Sequence, residues 1–181
     1  MIKRMKNLFS CLKRDESGSA SVEFVLVVPV FISLMLMSIE LGFITLRQTM
    51  LERGLDIAVR EVRLGTGQPG SHAEIKQLVC DSAGFILDCE NNLRLEMRSA
   101  DLRSYNSMNT DVLCTDKAEE VDPITLEDGM EFGTPNELML MRACYKYDPF
   151  FPDDFLGNAL VKDTSGQARI VALTAFVQEP L

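Results

Sequence analysis

The reading turns on residues 18 to 46: Gly-Ser-Ala-Ser-Val-Glu-Phe (18–24), Val-Leu-Val-Val-Pro-Val-Phe-Ile-Ser-Leu-Met-Leu-Met-Ser-Ile (25–39), then Glu40 and a second apolar patch, Leu-Gly-Phe-Ile-Thr-Leu (41–46). A bilayer core about 30 Å thick needs about 20 mainly apolar residues in a helix. Phe24 to Phe43 meets that need with Glu40 as its one charge. Residues 19–46 therefore read as a transmembrane helix, with a leader over 1–18 on one side and the remainder on the other. Glu23, a carboxylate at the head of the apolar run and five residues after Gly18, is a feature a plain anchor does not need.

Charge gives the orientation. The leader carries Lys3, Arg4, Lys6, Lys13 and Arg14 against Asp15 and Glu16, whereas the whole chain of 181 residues has a formal charge of −9. Basic residues beside a span keep their side in the cytoplasm, so the body is expected to be exported. A cleaved secretory signal would carry an apolar stretch of about 7 to 15 residues before a small-x-small cut; here the run is longer and no such site follows it, so the segment reads as retained. The acidic body repels nucleic-acid backbones, and nucleic acid is not an expected partner.

Cysteine placement agrees with export. Cys11 lies in the leader, leaving Cys80, Cys89, Cys114 and Cys144 in the body, an even number suited to an oxidising compartment. Four cysteines allow three connectivities. Cys80 with Cys89 and Cys114 with Cys144 is the preferred one, because the first closes a short loop and the second ties a long polar excursion to a strand. A structural zinc site is the competing reading. It lacks a CxxC pair, and His72 is the one histidine, so no metal and no cofactor are expected.

Past the membrane the helix is expected to continue. Leu51, Leu55, Ala58, Val59 and Val62 recur at spacings of three and four and form one apolar face. Residues 47–65 are read as a helix extension that stops at Gly65-Thr66-Gly67, so that a helix over Ser21–Leu64 would be about 65 Å long. Pro29 permits a kink, which membrane helices tolerate, and Gly54 weakens the helix by about 1 kcal/mol relative to Ala. Glu40, roughly 25 Å from Glu23 along the helix, is expected to snorkel or face a partner helix.

Residues 66–181 are expected to form a small periplasmic or extracellular α+β domain. Ser71 to Glu74 is a capping box opening a short helix that ends near Gly84, with His72 read as a surface residue of its first turn. Leu93, Leu95 and Met97 alternate with Arg94, Glu96 and Arg98, the pattern of a strand buried on one face. Residues 104–136 are polar and acidic without the D-x-[DN]-x-[DN]-G spacing of a calcium loop, and read as a solvated excursion. Leu138–Tyr147 is a strand stopped by Asp148-Pro149, Phe150, Phe151 and Phe155 are expected to cover the core, with an exposed docking patch as the alternative, and Ile170–Val177 is the last strand. A general base for Ser-His-Asp or Cys-His chemistry is lacking, as is a phosphate loop, so the chain is not read as an enzyme.

Gly18, a small residue after it, Glu23 and then an apolar helix resemble the class III signal of type IV pilins. Gly-Ser-Ala-Ser-Val-Glu-Phe is similar in particular to the TadE-like pseudopilins of the Tad, or Flp, pilus. The tail Ala-Phe-Val-Gln-Glu-Pro-Leu (175–181) resembles a Phe-Arg-Asn-Glu-Pro-Phe-like ending of that family, departing from it at Val177, Gln178 and Leu181. The resemblance implies a pilin-like α+β fold and a minor pilin acting in pilus assembly or initiation, and thus adhesion. It implies cleavage by a prepilin peptidase between Gly18 and Ser19, and assembly contacts at Glu23 and Phe24. The implied partners are that peptidase, other Tad subunits with their inner-membrane machinery, and membrane lipid.

The physical chemistry of the positions fits this independently. Glycine lets an enzyme approach the backbone closely, and cleavage would give Ser19 a free ammonium. An ionised Glu at the centre of a span is unfavourable by about 2.5 to 3.5 kcal/mol and less so near an interface, so Glu23 needs a partner that a neighbouring Ser19 ammonium would supply. Taken alone, Glu23 reads as a headgroup-level carboxylate favoured by the helix dipole. With Gly18 and the basic leader beside it, the pilin-type reading prevails. The alternatives are an uncleaved, single-pass, membrane-anchored periplasmic binding or structural module and an anchored enzyme of the envelope. The expected location is the bacterial inner membrane with the N-terminus cytoplasmic, and the sequence leaves open whether the mature chain enters a surface fibre.

Overall fold

A computed structural model describes residues 19–64, 71–101, 112–115 and 129–180. The leader with Gly18, the 65–70 segment and most of the acidic stretch lie outside the described residues. The chain divides after Ile39 into two compact units.

Helix α1 spans Ser19–Leu64, 46 residues in one element. It runs through Pro29 without a break, and the Ser33 hydroxyl donates to the Pro29 carbonyl at 2.9 Å. Up to Ile39 its large side chains face outward: Val22, Phe24, Val25, Leu26, Val30, Phe31 and Leu34 are all exposed. A helix this apolar and this uncovered is unfavourable in water, and it is long and apolar enough to cross a bilayer.

The second unit is built on a three-stranded antiparallel sheet. The strands are β1 (Leu93–Ser99), β2 (Leu138–Tyr147) and β3 (Ala168–Val177), in the order β1-β2-β3. Leu93 pairs with Tyr145, Met97 with Met141, Met139 with Phe176 and Tyr147 with Ala168. Because side chains alternate across a strand, this register puts Leu93, Leu95, Met97, Met139, Met141, Ala143, Tyr145, Ile170, Ala172 and Phe176 on one buried face. The remaining helices are α2 (His72–Ala83), α3 (Cys89–Asn92) and α4 (Phe155–Ala159).

The latter half of α1 supplies the other wall of the core. Leu51, Leu55, Ala58 and Val59 are buried, with Ile75 and Val79 of α2 in the same cluster. Each fully buried Leu contributes about 1.5–3 kcal/mol over its exposed state, so this stripe makes α1 part of the domain rather than a tether. Gly54 allows the close approach of α1 and α2: a Cβ there would lie 2.7 Å from the Val79 carbonyl oxygen and 3.2 Å from the Ala83 Cβ. The end of α1 is tied to the chain beyond β3 by Arg63–Glu179 at 2.8 Å and by the Gln178 amide donating to the Val62 carbonyl at 3.4 Å.

Helix α2 opens with the reciprocal Ser71–Glu74 capping box, its side chains bonding in both directions. His72 is buried rather than on the surface, correcting the sequence reading. It stands three residues before Ile75 and seven before Val79, on the same buried stripe. Two disulfides cross-link the unit, Cys80–Cys89 with Cα atoms 5.6 Å apart and Cys114–Cys144 at 5.3 Å. The first joins α2 to α3, and the second fastens the described residues 112–115, within the acidic stretch, to β2. On the opposite sheet face Glu96 and Arg142, directly paired across β1 and β2, form an ion pair at 3.8 Å.

Candidate functional site

Two places carry chemistry that core packing does not explain. The first is the start of α1. Ser19 is its first residue, and Glu23 and Phe24 lie in its exposed first turns. Gly18 falls outside the described residues, so the geometry of the expected cleavage site is not on view. No acidic residue other than Glu23 interrupts the helix before Glu40.

The second place is Glu40. Its side chain is 1% exposed, and the expectation that it snorkels or faces a partner helix is corrected. Both its oxygens accept the Phe150 backbone N–H, at 3.0 and 3.3 Å, and Oε2 also accepts the Phe151 N–H at 3.2 Å. Local sequence explains why these donors are available. Pro149 ends the run after β2 and has no N–H of its own, and the next two residues turn theirs toward α1. Hydrogen bonds to a charged group are worth about 1.5–3 kcal/mol each, enough to hold a carboxylate where water is excluded.

Two turns further on, Arg47 is buried beneath aromatic rings. Its guanidinium lies 4.6 Å from the Tyr147 ring centroid and 4.9 Å from that of Phe150, both within cation–π range. Burial raises the Tyr147 hydroxyl above the ordinary tyrosine range against the opposing influence of Arg47, with Glu40 adding to the rise. Burial likewise raises Tyr145, whose hydroxyl donates to the Leu87 carbonyl at 2.8 Å. Both phenols are therefore neutral at physiological pH and serve as packing and hydrogen-bonding groups.

The aromatic residues after β2 do not all cover the core as expected. Phe150 packs on Phe43 with ring centroids 4.6 Å apart, and Phe43 stacks on Phe85 at 6.4 Å, yet Phe150 stays 49% exposed and Phe155 80%. For Phe155 the reason lies in α4. A Cβ at Gly157 would collide with the Phe151 carbonyl oxygen, so Gly157 takes the inner side. Phe155, two residues before it, is turned to the opposite side of the short helix.

Beside the Cys114–Cys144 disulfide, a cleft of about 280 Å³ is lined by residues that include Lys146, Lys162, Asp163, Gln167 and Arg169. Lys146 and Asp163 pair at 2.7 Å. Burial by itself would raise the Asp163 carboxyl, but hydrogen bonds from Lys146, from Ser165 and from the Gln167 N–H hold it well below the usual carboxylate range. At neutral pH it is a fixed anion rather than a proton donor. Among the described residues no three His, Cys, Asp or Glu side chains gather as a metal-holding group.

An exposed apolar stretch through Ile39 is followed on the same helix by the buried stripe of a small disulfide-linked domain. Residues 18–60 match the family model of the TadE-like proteins. The helix is TadE-like. The match is consistent with a pilin-related protein associated with a Tad pilus, and its family is not one of enzymes. It takes in Gly18, Glu23, Glu40 and Arg47, while α2 and the whole sheet lie beyond it. No match was found among curated proteins or among solved structures.

Sequence reasoning missed the Glu40 site because its partners are backbone groups 110 and 111 residues away. The available signal was a single acid late in an apolar run together with a proline stop after a strand.

Proposed function

We propose that this chain is a TadE-like pseudopilin, a minor subunit of the Tad pilus apparatus that a prepilin peptidase processes between Gly18 and Ser19. The observation that carries the reading is a helix, exposed and apolar through Ile39, that lies almost wholly within the TadE-like match over residues 18–60. Removal of the leader would put an ammonium on Ser19 beside the membrane. Glu23, a carboxylate on an otherwise uncharged run, is its natural partner on a neighbouring subunit, and Phe24 packs next to that contact. The pair sets subunits in register, because a charge left unmatched in lipid is costly.

The remaining parts fit an exported body. The basic leader stays in the cytoplasm, the helix spans the inner membrane, and disulfides of the kind linking Cys80–Cys89 and Cys114–Cys144 persist in an oxidising compartment. The chemistry is done to this chain by the peptidase, and its own work is to assemble with other Tad subunits and the membrane machinery. The test is a pair of variants in cells with the full apparatus. Gly18→Ala is expected to remain at precursor length. Glu23→Ala is expected to be cut and exported but to fail in assembly. Normal processing of the first, or normal piliation with the second, rejects the corresponding role.

A further inference from the structure

Phe43, Phe85 and Phe150 cluster at the surface of the second unit. Phe43 lies one helical turn beyond Ile39, at the end of the exposed apolar run. Phe85 reaches it because α2 stops at Gly84, whose φ of 47° turns the chain out of the helix. Phe150 reaches it because Glu40 holds its N–H. The three rings touch in series, and Phe85 and Phe150 remain 46% and 49% exposed. Single exposed apolar side chains need no explanation, but three joined aromatic rings form a patch that does.

The charges at this level are arranged to leave the patch apolar. Glu40 is 1% exposed and bonded to backbone N–H groups, and Arg47 is 5% exposed and covered by the Tyr147 and Phe150 rings. Side chains that would otherwise reach outward for water are turned inward, a costly arrangement for a surface that meets only solvent.

We propose that this aromatic collar is a lipid-binding surface that seats the body on the bilayer, its rings entering the boundary between headgroups and acyl chains. Continuity selects the occupant: the collar follows the apolar run of the same helix by one turn, at the depth where amphipathic surfaces insert rings and leucines into lipid. Asp148 and Asp153, exposed in the same loop as Phe150, disfavour an anionic surface, so the lipid is zwitterionic. The Glu40 bonds then hold one ring of the collar in place, and the body is fixed at a set height above the membrane.

This inference rests on α1 spanning the membrane, and the experiment separates the two. The chain contains no tryptophan, so Phe85→Trp, Phe150→Trp, Leu34→Trp and Leu173→Trp each introduce a single fluorophore into the full-length protein. Each variant is reconstituted in phosphatidylcholine vesicles with or without bromine on the upper acyl carbons or near the chain ends. Phe85→Trp and Phe150→Trp are expected to lose most of their emission to shallow bromines, Leu34→Trp to deep ones, and Leu173→Trp, on the outer face of β3, to neither. Quenching of Leu34→Trp without quenching of either collar variant overturns the lipid seat and leaves the span intact. Absence of quenching in all four overturns both. Equal quenching of Leu173→Trp and the collar variants also overturns the seat, since the body would then lie on lipid without a preferred face.

Discussion

Glu40 on α1 and the backbone N–H of Phe150, 110 residues apart in the chain, meet at 3.0 Å. That contact fastens the loop after β2 to the α1 portion of the second unit, and the second bond to Phe151 makes it a two-point hold. Glu40→Ala leaves two part-buried donors without their acceptor, for which a loss of about 1–3 kcal/mol is expected. Glu40→Gln keeps a neutral acceptor and is expected to lose about half as much. Chemical unfolding of the full chain in detergent, followed by tyrosine circular dichroism, measures both. Unchanged stability in Glu40→Ala would mean that the loop holds its place without the carboxylate.

Gly54 makes a prediction in which packing and propensity oppose each other. Alanine improves an isolated helix by about 1 kcal/mol, but here its Cβ meets the Val79 carbonyl oxygen at 2.7 Å. Backbone cannot yield as a side-chain tip can, and overpacking of this kind costs about 1–3 kcal/mol. Gly54→Ala is therefore expected to lower the unfolding midpoint. Gly42→Ala, with open space around the position, is not. A stabilised Gly54→Ala would contradict the close approach of α1 and α2.

The acid limb of stability is expected to depend on Asp163. Its folded carboxyl titrates below its ordinary range because Lys146, Ser165 and the Gln167 N–H favour the ionised form. A depressed folded pKa contributes stability that is complete above the unfolded value, about 3.9 for Asp, and is lost as pH falls from there toward the folded value. Asp163→Asn should flatten the stability–pH curve below about pH 4 and leave its slope at pH 6–8 unchanged. An unaltered acid slope would show that the Lys146 pair does not survive in solution.

The two disulfides should differ in worth. Cys80–Cys89 closes a separation of 9 residues and Cys114–Cys144 one of 30, and the entropy removed from the unfolded chain grows with loop length. Replacing both members of the longer bridge with serine is expected to cost about 1 kcal/mol more than doing so at the shorter one. Urea midpoints of the two double variants decide the order.

Much of the fold could be read along the chain because its signals are local. Leu138–Tyr147 is bounded by a proline stop, Leu93, Leu95 and Met97 alternate with charge, and the stripe from Leu51 to Val59 repeats at helical spacing. Strand β3 begins at Ala168, two residues before the apolar pattern, because Ala168 pairs with Tyr147 across the sheet. What escaped the sequence is long-range. His72 carries a polar label, yet its helical phase puts it with Ile75. Phe155 carries an apolar label, yet Gly157 takes the inward side of its helix. Glu40 differs from a snorkelling acid only through two N–H groups supplied from beyond β2. At the start of α1, the meaning of Glu23 depends on a neighbouring subunit and a cut, neither of which the fold of one chain contains.

The intact mass of the chain, extracted from membranes of cells that contain a prepilin peptidase, tests the central claim most directly. The full sequence corresponds to 20.3 kDa. Pseudopilin processing predicts a single species lacking residues 1–18 and beginning at Ser19, whereas a full-length chain in those cells would contradict the account.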